Sequence, residues 1–331
     1  MDGNLVIDVH SHFMPEEATK NRTTSDGINF VAIMQGRRSL QIMDIENRLQ
    51  TMDEAGIDMT VLSNSAESPQ GIAMCRQIND GYARIERKYP KRFISCTHIP
   101  LEGSAQAIHE LERTVGEYGF KSVALLSSTL KMTPDSDELF PLYKKISELD
   151  MPILIHPSIR IPLWGGAKYN MSKHISREYD IIKATIEVMY GVLKAFPDLK
   201  FVIPHHGGGM PNLKGRIMSN FEPDHHSIPE ELCGLPKTPR ELKELGIDKV
   251  FKQTFDKLYF DTAGFGGWMP ITESATKVIR TDRICFGTDY PFEIHTAKDI
   301  KSFIKGIRNL DISETAKSNI LGGNIKRLLK I

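Results

Sequence analysis

The chain has 331 residues, which is enough for one large domain or two of ordinary size. Hydrophobic residues make up 40% and charged residues 25%, as in ordinary globular proteins, and 42 basic residues balance 42 acidic ones. This neutral balance argues against nucleic acid or a membrane surface as the main partner, and no apolar run approaches the roughly 20 residues of a membrane span.

Short apolar runs alternate with longer amphipathic stretches along the chain. Most of these runs are continuously apolar, which is typical of parallel strands covered on both faces. The predicted strands are Val6–Val9, Thr60–Ser63, Phe93–Ile99, Ser122–Leu126, Ile153–His156, Lys200–Pro204, Leu258–Asp261 and Ile284–Gly287.

The stretches between the predicted strands have apolar residues at helical spacing. Gly56 and Gly119 are expected to end two of them, because glycine readily adopts the left-handed conformation at a helix terminus. The predicted helices cover residues 45–57, 107–119, 138–150, 180–198, 271–282, 297–308, 313–320 and 324–329.

Eight strands with helices between and after them predict an α/β fold, a (β/α)8 TIM barrel that forms a single domain over residues 1–331. Two long connections, Phe13–Met43 and Phe221–Lys257, are expected to be functional or to form subunit contacts. A doubly wound open sheet is the alternative fold. As a dinucleotide binder it would need a glycine-rich turn after the first strand, and the sequence has none there.

The cysteines and the amino terminus predict a cytoplasmic location. There is no basic segment followed by a long apolar one, as a signal peptide would have. The cysteines are scattered without paired spacing and are expected to be reduced thiols, neither a disulfide framework nor a metal site. They are Cys75, Cys96, Cys233 and Cys285.

Four of the predicted strands end in residues that bind metal ions. In a barrel of this kind the carboxyl ends of the strands form the active site, so residues distant in sequence are expected to converge there. The first strand ends in His10 and His12, the fifth in His156, the sixth is followed by His205 and His206, and the eighth by Asp289.

Imidazoles and one carboxylate suit a borderline divalent cation such as Zn²⁺ and, less specifically, Mn²⁺ or Fe²⁺. Residues two apart in a strand project to the same side, so His10 and His12 can face one ion. Each residue alone has an ordinary explanation: a solvated histidine pair, a core histidine at His156, or a turn or helix cap at Asp289. The joint pattern on four strand ends favours the metal site.

Four motifs, "IDVHSH", "ILIHP", "HHGGGMPNLKGR" and "FGTDYPF", resemble those of the amidohydrolase superfamily. More narrowly, they resemble the branch typified by aminocarboxymuconate semialdehyde decarboxylase and related aromatic-acid decarboxylases, and "RLQTMDEAGIDMTVLS" fits the same branch. The resemblance extends over nearly the whole chain. It implies that the metal ligands are His10, His12, His156 and Asp289.

The resemblance also implies one divalent metal ion, with Zn²⁺ expected and Mn²⁺ as the alternative. Binuclear relatives bridge two ions with a modified lysine at the end of the fourth strand. Here that strand has the sequence "VALLSS", and Lys131 comes several residues too late.

Residues that act on the substrate are implied by the same motifs. His206, directly before three glycines, matches the active-site histidine, although its neighbour His205 competes for this role. His206 and Asp289 are the candidate proton donors. Arg216 matches an arginine that reaches the active site of a neighbouring subunit, which implies a homodimer; alternatively it is a surface arginine.

Three further residues are candidates for binding the substrate. Arg37 or Arg38 matches the arginine that holds a substrate carboxylate in this branch, and the alignment leaves both possible. Trp164 follows the fifth strand, where it either packs on a substrate ring or is a structural aromatic residue.

The expected function is metal-dependent, non-oxidative decarboxylation of a small aromatic or unsaturated carboxylic acid. The alternatives are hydrolysis of a small cyclic ester or amide by a lactonase-type amidohydrolase, hydration of a dicarboxylic intermediate, and metal binding without catalysis.

Overall fold

Eight parallel strands lie side by side in chain order in the computed structural model, which describes residues 5–18, 41–63, 71–129, 131–158, 167–169, 171–219, 241, 244 and 246–331. The strands are β1 (Ile7–His12), β2 (Met59–Ser63), β3 (Phe93–His98), β4 (Ser122–Leu126), β5 (Pro152–His156), β6 (Lys200–Ile203), β7 (Tyr259–Asp261) and β8 (Ile284–Cys285).

The first and last strands are joined, so the sheet closes on itself. The amide of Val9 donates to the carbonyl of Phe286 (2.8 Å), and the amide of His12 donates to the carbonyl of Tyr290 (2.7 Å). All eight predicted strands are present, with ends shifted by at most three residues, and the predicted TIM barrel is confirmed.

Helices cover the outside of the barrel. They are α1 (Ile45–Ala55), α2 (Ile72–Lys88), α3 (Ala105–Arg113), α4 (Phe140–Glu148), α5 (Ser172–Glu187), α6 (Met210–Ser219), α7 (Ile247–Phe255), α8 (Met269–Val278), α9 (Ala297–Arg308), α10 (Glu314–Ser318) and α11 (Asn324–Leu329). The helix α1 starts after Asp44, whose side chain accepts from the amide of Asn47 (2.9 Å). It ends at Gly56 in the predicted left-handed conformation (φ 82°).

Three of these helices, α2, α6 and α7, were not among the predicted ones. The helix α2 buries Cys75, Ile78, Tyr82 and Ile85, which have helical spacing. The helix α7 lies within the predicted long connection Phe221–Lys257. Residues 221–240, 242, 243 and 245 of that connection and 19–40 of the first one lie outside the described residues.

Apolar side chains fill the barrel and the layer between strands and helices. The inner cluster contains Ile7, Val9, Val61, Ile94, Cys96, Ala124, Leu154, Val202 and Cys285, joined by Ile325, Leu328 and Leu329 of α11. The helix α11 packs against β1 and β8. The histidines of β1 and β5 lie at the carboxyl ends of their strands. Among the described residues, no helix is long and apolar enough to cross a membrane.

Candidate metal centre

Three histidines and one aspartate from separate strands converge at the carboxyl end of the barrel. Nε2 of His12 lies 2.9 Å from Oδ1 of Asp289 and 3.4 Å from Nε2 of His156. Nε2 of His10 lies 3.7 Å from the same Asp289 oxygen. All four side chains are buried or nearly so, which makes unpaired polar atoms costly at this place.

A bulge interrupts the pairing of β1 in the segment that contains His10. The pairing with β2 shifts by one residue between Asp8 and Ser11. The amide of Asp289 donates to the carbonyl of His10 (2.9 Å), so β1 and the turn after β8 are fixed relative to each other. This backbone contact holds Asp289 in a left-handed conformation (φ 56°), which non-glycine residues seldom adopt.

The orientation of His10 is fixed by a carboxylate that the sequence analysis did not assign. Asp261, the last residue of β7, places Oδ2 2.7 Å from Nδ1 of His10. A carboxylate only accepts, so the proton lies on Nδ1 and Nε2 is left to bind a ligand. Burial lowers the pKa of His10, but the charge and hydrogen bond of Asp261 raise it to about 9, so a metal ion would have to displace the proton on Nε2 in order to bind there.

The protonation states of Asp289 and His156 suit metal binding. Burial alone would raise the pKa of Asp289. The hydrogen bond with His12 and the charges of His10 and His12 have the larger, opposite effect, so the pKa of Asp289 lies below its usual value. Burial, followed by the charges of His12 and His10, holds the pKa of His156 well below its usual range. A carboxylate and a neutral imidazole are the forms that a metal ion requires.

The polar atoms at this point fit a divalent cation. Nε2 of His10, Nε2 of His205 and Oδ2 of Asp289 are buried and have no hydrogen-bond partner among the described residues. The ligand atoms of His10, His12 and His156 all lie within 4.8 Å of one another, as do those of His10, His205 and Asp289. A cation bound by imidazole nitrogens and a carboxylate would satisfy Nε2 of His10 and Oδ2 of Asp289, which have no hydrogen-bond partner among the described residues.

A left-handed turn follows β6 and places the two adjacent histidines on different sides. All five residues of this turn have positive φ: 53° at His205, 50° at His206, 70° at Gly207, 65° at Gly208 and 82° at Gly209. Two non-glycine residues in this conformation are unfavourable, and the three glycines complete the turn without such a cost. We call residues His205–Gly209 the left-handed turn.

His205, not His206, faces the metal centre. Nε2 of His205 lies 3.7 Å from Oδ2 of Asp289. His206 instead places Nε2 3.1 Å from the hydroxyl of Thr272 on α8, and its ring packs edge-on to Phe265. Burial lowers the pKa of His206 to about 4, as for a neutral core histidine. We therefore propose that His205 is the active-site histidine, the role that the sequence analysis assigned to His206.

The ring of His205 fits against Gly264. A Cβ atom at position 264 would lie 2.2 Å from Cγ of His205, so only glycine leaves room for the ring. The amide of His205 also donates to Oδ1 of Asp261 (2.8 Å). Asp261 thus contacts both His10 and His205, and its signal in the sequence was its place at the end of a predicted strand.

The remaining predicted site residues fall outside this cluster or outside the described residues. Arg216 lies exposed on α6. At the end of β4, where binuclear relatives have a bridging lysine, the chain continues into Ser127 and Ser128. The hydroxyls of these two serines donate to Asp180 of α5. Arg37, Arg38 and Trp164 lie outside the described residues.

The sequence pattern of the amidohydrolase family matches residues 7–331, so the chain belongs to this family. Gamma-resorcylate decarboxylase of a Polaromonas species is 26% identical, over 100% of this chain and 99% of that protein. The 2-amino-3-carboxymuconate-6-semialdehyde decarboxylase of Dictyostelium discoideum is 24% identical (98% and 92%). The 2-keto-4-carboxy-3-hexenedioate hydratase of a Sphingobium species is 28% identical (98% and 96%).

Solved structures share the fold over nearly the whole chain. The 5-carboxyvanillate decarboxylase from Sphingomonas paucimobilis has a TM-score of 0.74 at 20% identity and covers 99% of both chains. A dihydroxybenzoic acid decarboxylase from a Polaromonas species, solved with manganese and 2-nitroresorcinol, has a TM-score of 0.74 at 23% identity (99% and 97%). These matches confirm the predicted family and barrel, and the decarboxylases among them agree with the predicted class of enzyme. A divalent metal is supported by the manganese in that structure and by the ligand atoms that converge here.

Proposed function

We propose that this protein is a metal-dependent, non-oxidative decarboxylase of a small aromatic or unsaturated carboxylic acid. The observation that carries the proposal is the convergence of His10, His12, His156 and Asp289, with His205 beside the second oxygen of Asp289. The decarboxylases among the full-length relatives support it.

When bound, a divalent cation supplies positive charge that holds anionic oxygens of the substrate. Decarboxylation then needs one proton at the carbon that carries the leaving carboxylate. Protonation of this carbon lets the electron pair of the breaking carbon–carbon bond return to the ring as CO2 departs. His205 and Asp289 are the buried groups placed to hold and deliver that proton.

The two adjacent histidines offer a matched test of these roles. We expect His205→Asn to retain bound metal and to lose at least about 100-fold in kcat, because removing a general acid typically costs 10²–10⁴-fold. His206→Asn changes the same residue type one position later and is expected to keep kcat within about twofold. Loss of turnover in His206→Asn but not in His205→Asn would contradict the assignment.

A substrate panel tests the reaction itself. Metal-loaded protein is incubated with gamma-resorcylate, 5-carboxyvanillate and 2-amino-3-carboxymuconate-6-semialdehyde, and released CO2 is measured. The same samples are offered 2-keto-4-carboxy-3-hexenedioate and small lactones. CO2 from at least one acid supports the proposal, whereas hydration or ring opening without CO2 from any acid refutes it.

A hydratase is the second candidate, because the Sphingobium hydratase is 28% identical over 98% of this chain. Hydration uses the same metal centre but adds water across a carbon–carbon double bond, without loss of carbon. The two reactions are therefore separated by the mass of the product.

We propose that the four predicted ligands bind a single Zn²⁺ ion. Three imidazoles and one carboxylate suit Zn²⁺, and the manganese in the Polaromonas structure makes Mn²⁺ the alternative. Metal analysis of the purified protein, followed by reconstitution of the chelated protein with each ion, measures which ion restores turnover.

We also propose a homodimer in which Arg216 reaches the partner's substrate. Met171, Ile175 and Tyr179 form an exposed apolar stripe at spacings of four along and just before α5, with 52%, 59% and 46% exposure. We expect the double variant Ile175→Glu/Tyr179→Glu to sediment as a monomer. Arg216→Ala should remain dimeric and lose activity; retained activity would refute the cross-subunit role.

Arg37, Arg38 and Trp164 stay proposed substrate-binding residues. An arginine holds a carboxylate through two parallel hydrogen bonds, so its replacement should raise KM. Single alanine variants at the three positions test this, with the largest KM increase expected for one of the two arginines. The cytoplasmic location stays a prediction.

A further inference from the structure

Glu178 of α5 contacts His205 from the side opposite Asp289. Oε1 of Glu178 lies 2.9 Å from Nδ1 of His205. Because a carboxylate only accepts, this contact places a proton on Nδ1, so Nε2, the atom nearest Asp289, is the nitrogen that faces the metal centre. We propose that Glu178 is the positioning residue that fixes the tautomer and ring orientation of His205, an inference that rests on the proposed function.

The carboxylate of Glu178 is itself held in place. Nε of Arg177 lies 3.2 Å from Oε1 of Glu178, and Nη2 of Arg177 lies 3.0 Å from Oε1 of Glu293. Glu293 follows Asp289 by four residues, so this pair of ion pairs ties α5 to the segment that carries Asp289. We call Arg177, Glu178 and Glu293 the ion-pair clamp. It restrains Glu178 where an isolated surface carboxylate would rotate freely.

The backbone around the left-handed turn is shaped to admit Glu178. A Cβ atom at Gly208 would lie 2.4 Å from the carbonyl oxygen of Glu178, so glycine at this position allows α5 to approach the turn. On the other side, Gly264 leaves room for the His205 ring. The ring is thus enclosed between α5 and the segment after β7, with one carboxylate at each ring nitrogen.

The adjacent histidine shows that this arrangement is specific. His206 has Thr272 at Nε2, and its Nδ1 has no hydrogen-bond partner among the described residues. His205 alone of the two has carboxylates at both nitrogens, Glu178 at 2.9 Å and Asp289 at 3.7 Å. Proton transfer through a histidine requires a defined tautomer, and a carboxylate at the second nitrogen provides it.

The test replaces Glu178 by glutamine, which keeps the size of the side chain and removes its charge. We expect kcat of Glu178→Gln to fall by about 10–100-fold, the usual effect of losing such a partner, with KM changed by less than about twofold. Glu187→Gln is the matched control. Glu187 lies on the same helix and pairs with Lys183 (2.5 Å), so its replacement leaves His205 untouched.

A second readout needs no substrate. Long-range ¹H–¹⁵N correlation spectra of the Zn²⁺-loaded protein report which nitrogen of each histidine carries the proton, and the signals of His205 are identified by their loss in His205→Asn. We expect an Nδ1-protonated ring in the wild type and in Glu187→Gln, and a changed tautomer pattern in Glu178→Gln. Glu178→Asp, with a shorter side chain, should fall between them in both kcat and spectrum.

An unchanged His205 spectrum in both Glu178 variants would overturn the proposal, as would a kcat equal to that of Glu187→Gln. The spectrum separates this inference from the proposed function. If the protein releases no CO2 from any acid, the proposed function fails while the tautomer measurement still decides the role of Glu178.

Discussion

Arg48 on α1 is buried (2% exposed) and stands behind the metal centre. Its Nη2 lies 3.7 Å from Oδ2 of Asp8, and its guanidinium lies 4.2 Å from the centre of the Tyr290 ring. Asp8 in turn accepts from the amides of His10 (3.2 Å) and Thr288 (3.1 Å). Through these two hydrogen bonds the side chain of Asp8 joins β1 to the turn that carries Asp289, and Arg48 balances the charge of Asp8.

We predict that Arg48→Met lowers the free energy of unfolding by about 3–4 kcal/mol. At 3.7 Å and an effective dielectric constant of about 20, the attraction between the two charges is about 4.5 kcal/mol. Breaking a buried pair by removing one partner typically costs about 3–5 kcal/mol, because the other charge stays buried. With 331 residues the unfolding entropy is about 0.7 kcal/mol per K, so Tm should fall by about 5 °C.

The double variant Asp8→Asn/Arg48→Met sharpens this prediction. Burial lowers the pKa of Arg48 and raises that of Asp8, so desolvation opposes both charges. Removing both should therefore cost less than the two single changes together. Urea unfolding of the four proteins at 25 °C measures the coupling energy, which we expect to be at least about 1.5 kcal/mol. A single-variant loss below about 1 kcal/mol, or a coupling of zero, would refute the reasoning.

Further predictions concern the groups that hold the site. Gly264→Ala should lower kcat at least about tenfold, because its Cβ would lie 2.2 Å from Cγ of His205. Gly266→Ala is the control, since Gly266 also has a positive φ (58°, against 84° at Gly264) but the atom nearest to its Cβ position is 3.8 Å away. Equal kinetics in both variants would contradict the steric argument. Asp261→Asn should weaken metal affinity about 10–100-fold in competition titrations by releasing His10, and an unchanged affinity would contradict that role. Chelation should lower Tm by about 4 °C if the metal was present at about 100 times its Kd, and re-addition should restore it.

The strands and the convergence of His10, His12, His156 and Asp289 were predictable because both follow from local chemistry. Parallel strands buried on both faces need continuous apolar runs, and the carboxyl ends of barrel strands form one mouth. The helix α2 was missed although Cys75, Ile78, Tyr82 and Ile85 have helical spacing. Its buried Asn79 interrupts the apolar face, and the structure explains it, because Asn79 donates to the carbonyl of His98 (2.9 Å).

The sequence could not decide which of His205 and His206 faces the metal centre. Adjacent residues in an ordinary strand point to opposite sides, but these two lie in the left-handed turn, whose geometry depends on the glycines that follow. The contact between Glu178 and His205 could not be predicted either, because it depends on how α5 packs against the left-handed turn. Long-range contacts of this kind leave no periodic signal.

The most direct test of the account measures bound metal and released CO2 on the same samples. Protein is prepared at a series of metal occupancies and given the best acid of the panel. The account predicts CO2 release in proportion to bound metal up to one ion per chain, with both lost together in His12→Ala. Full CO2 release from metal-free protein, or metal-bound protein that converts its substrate without releasing CO2, would contradict it.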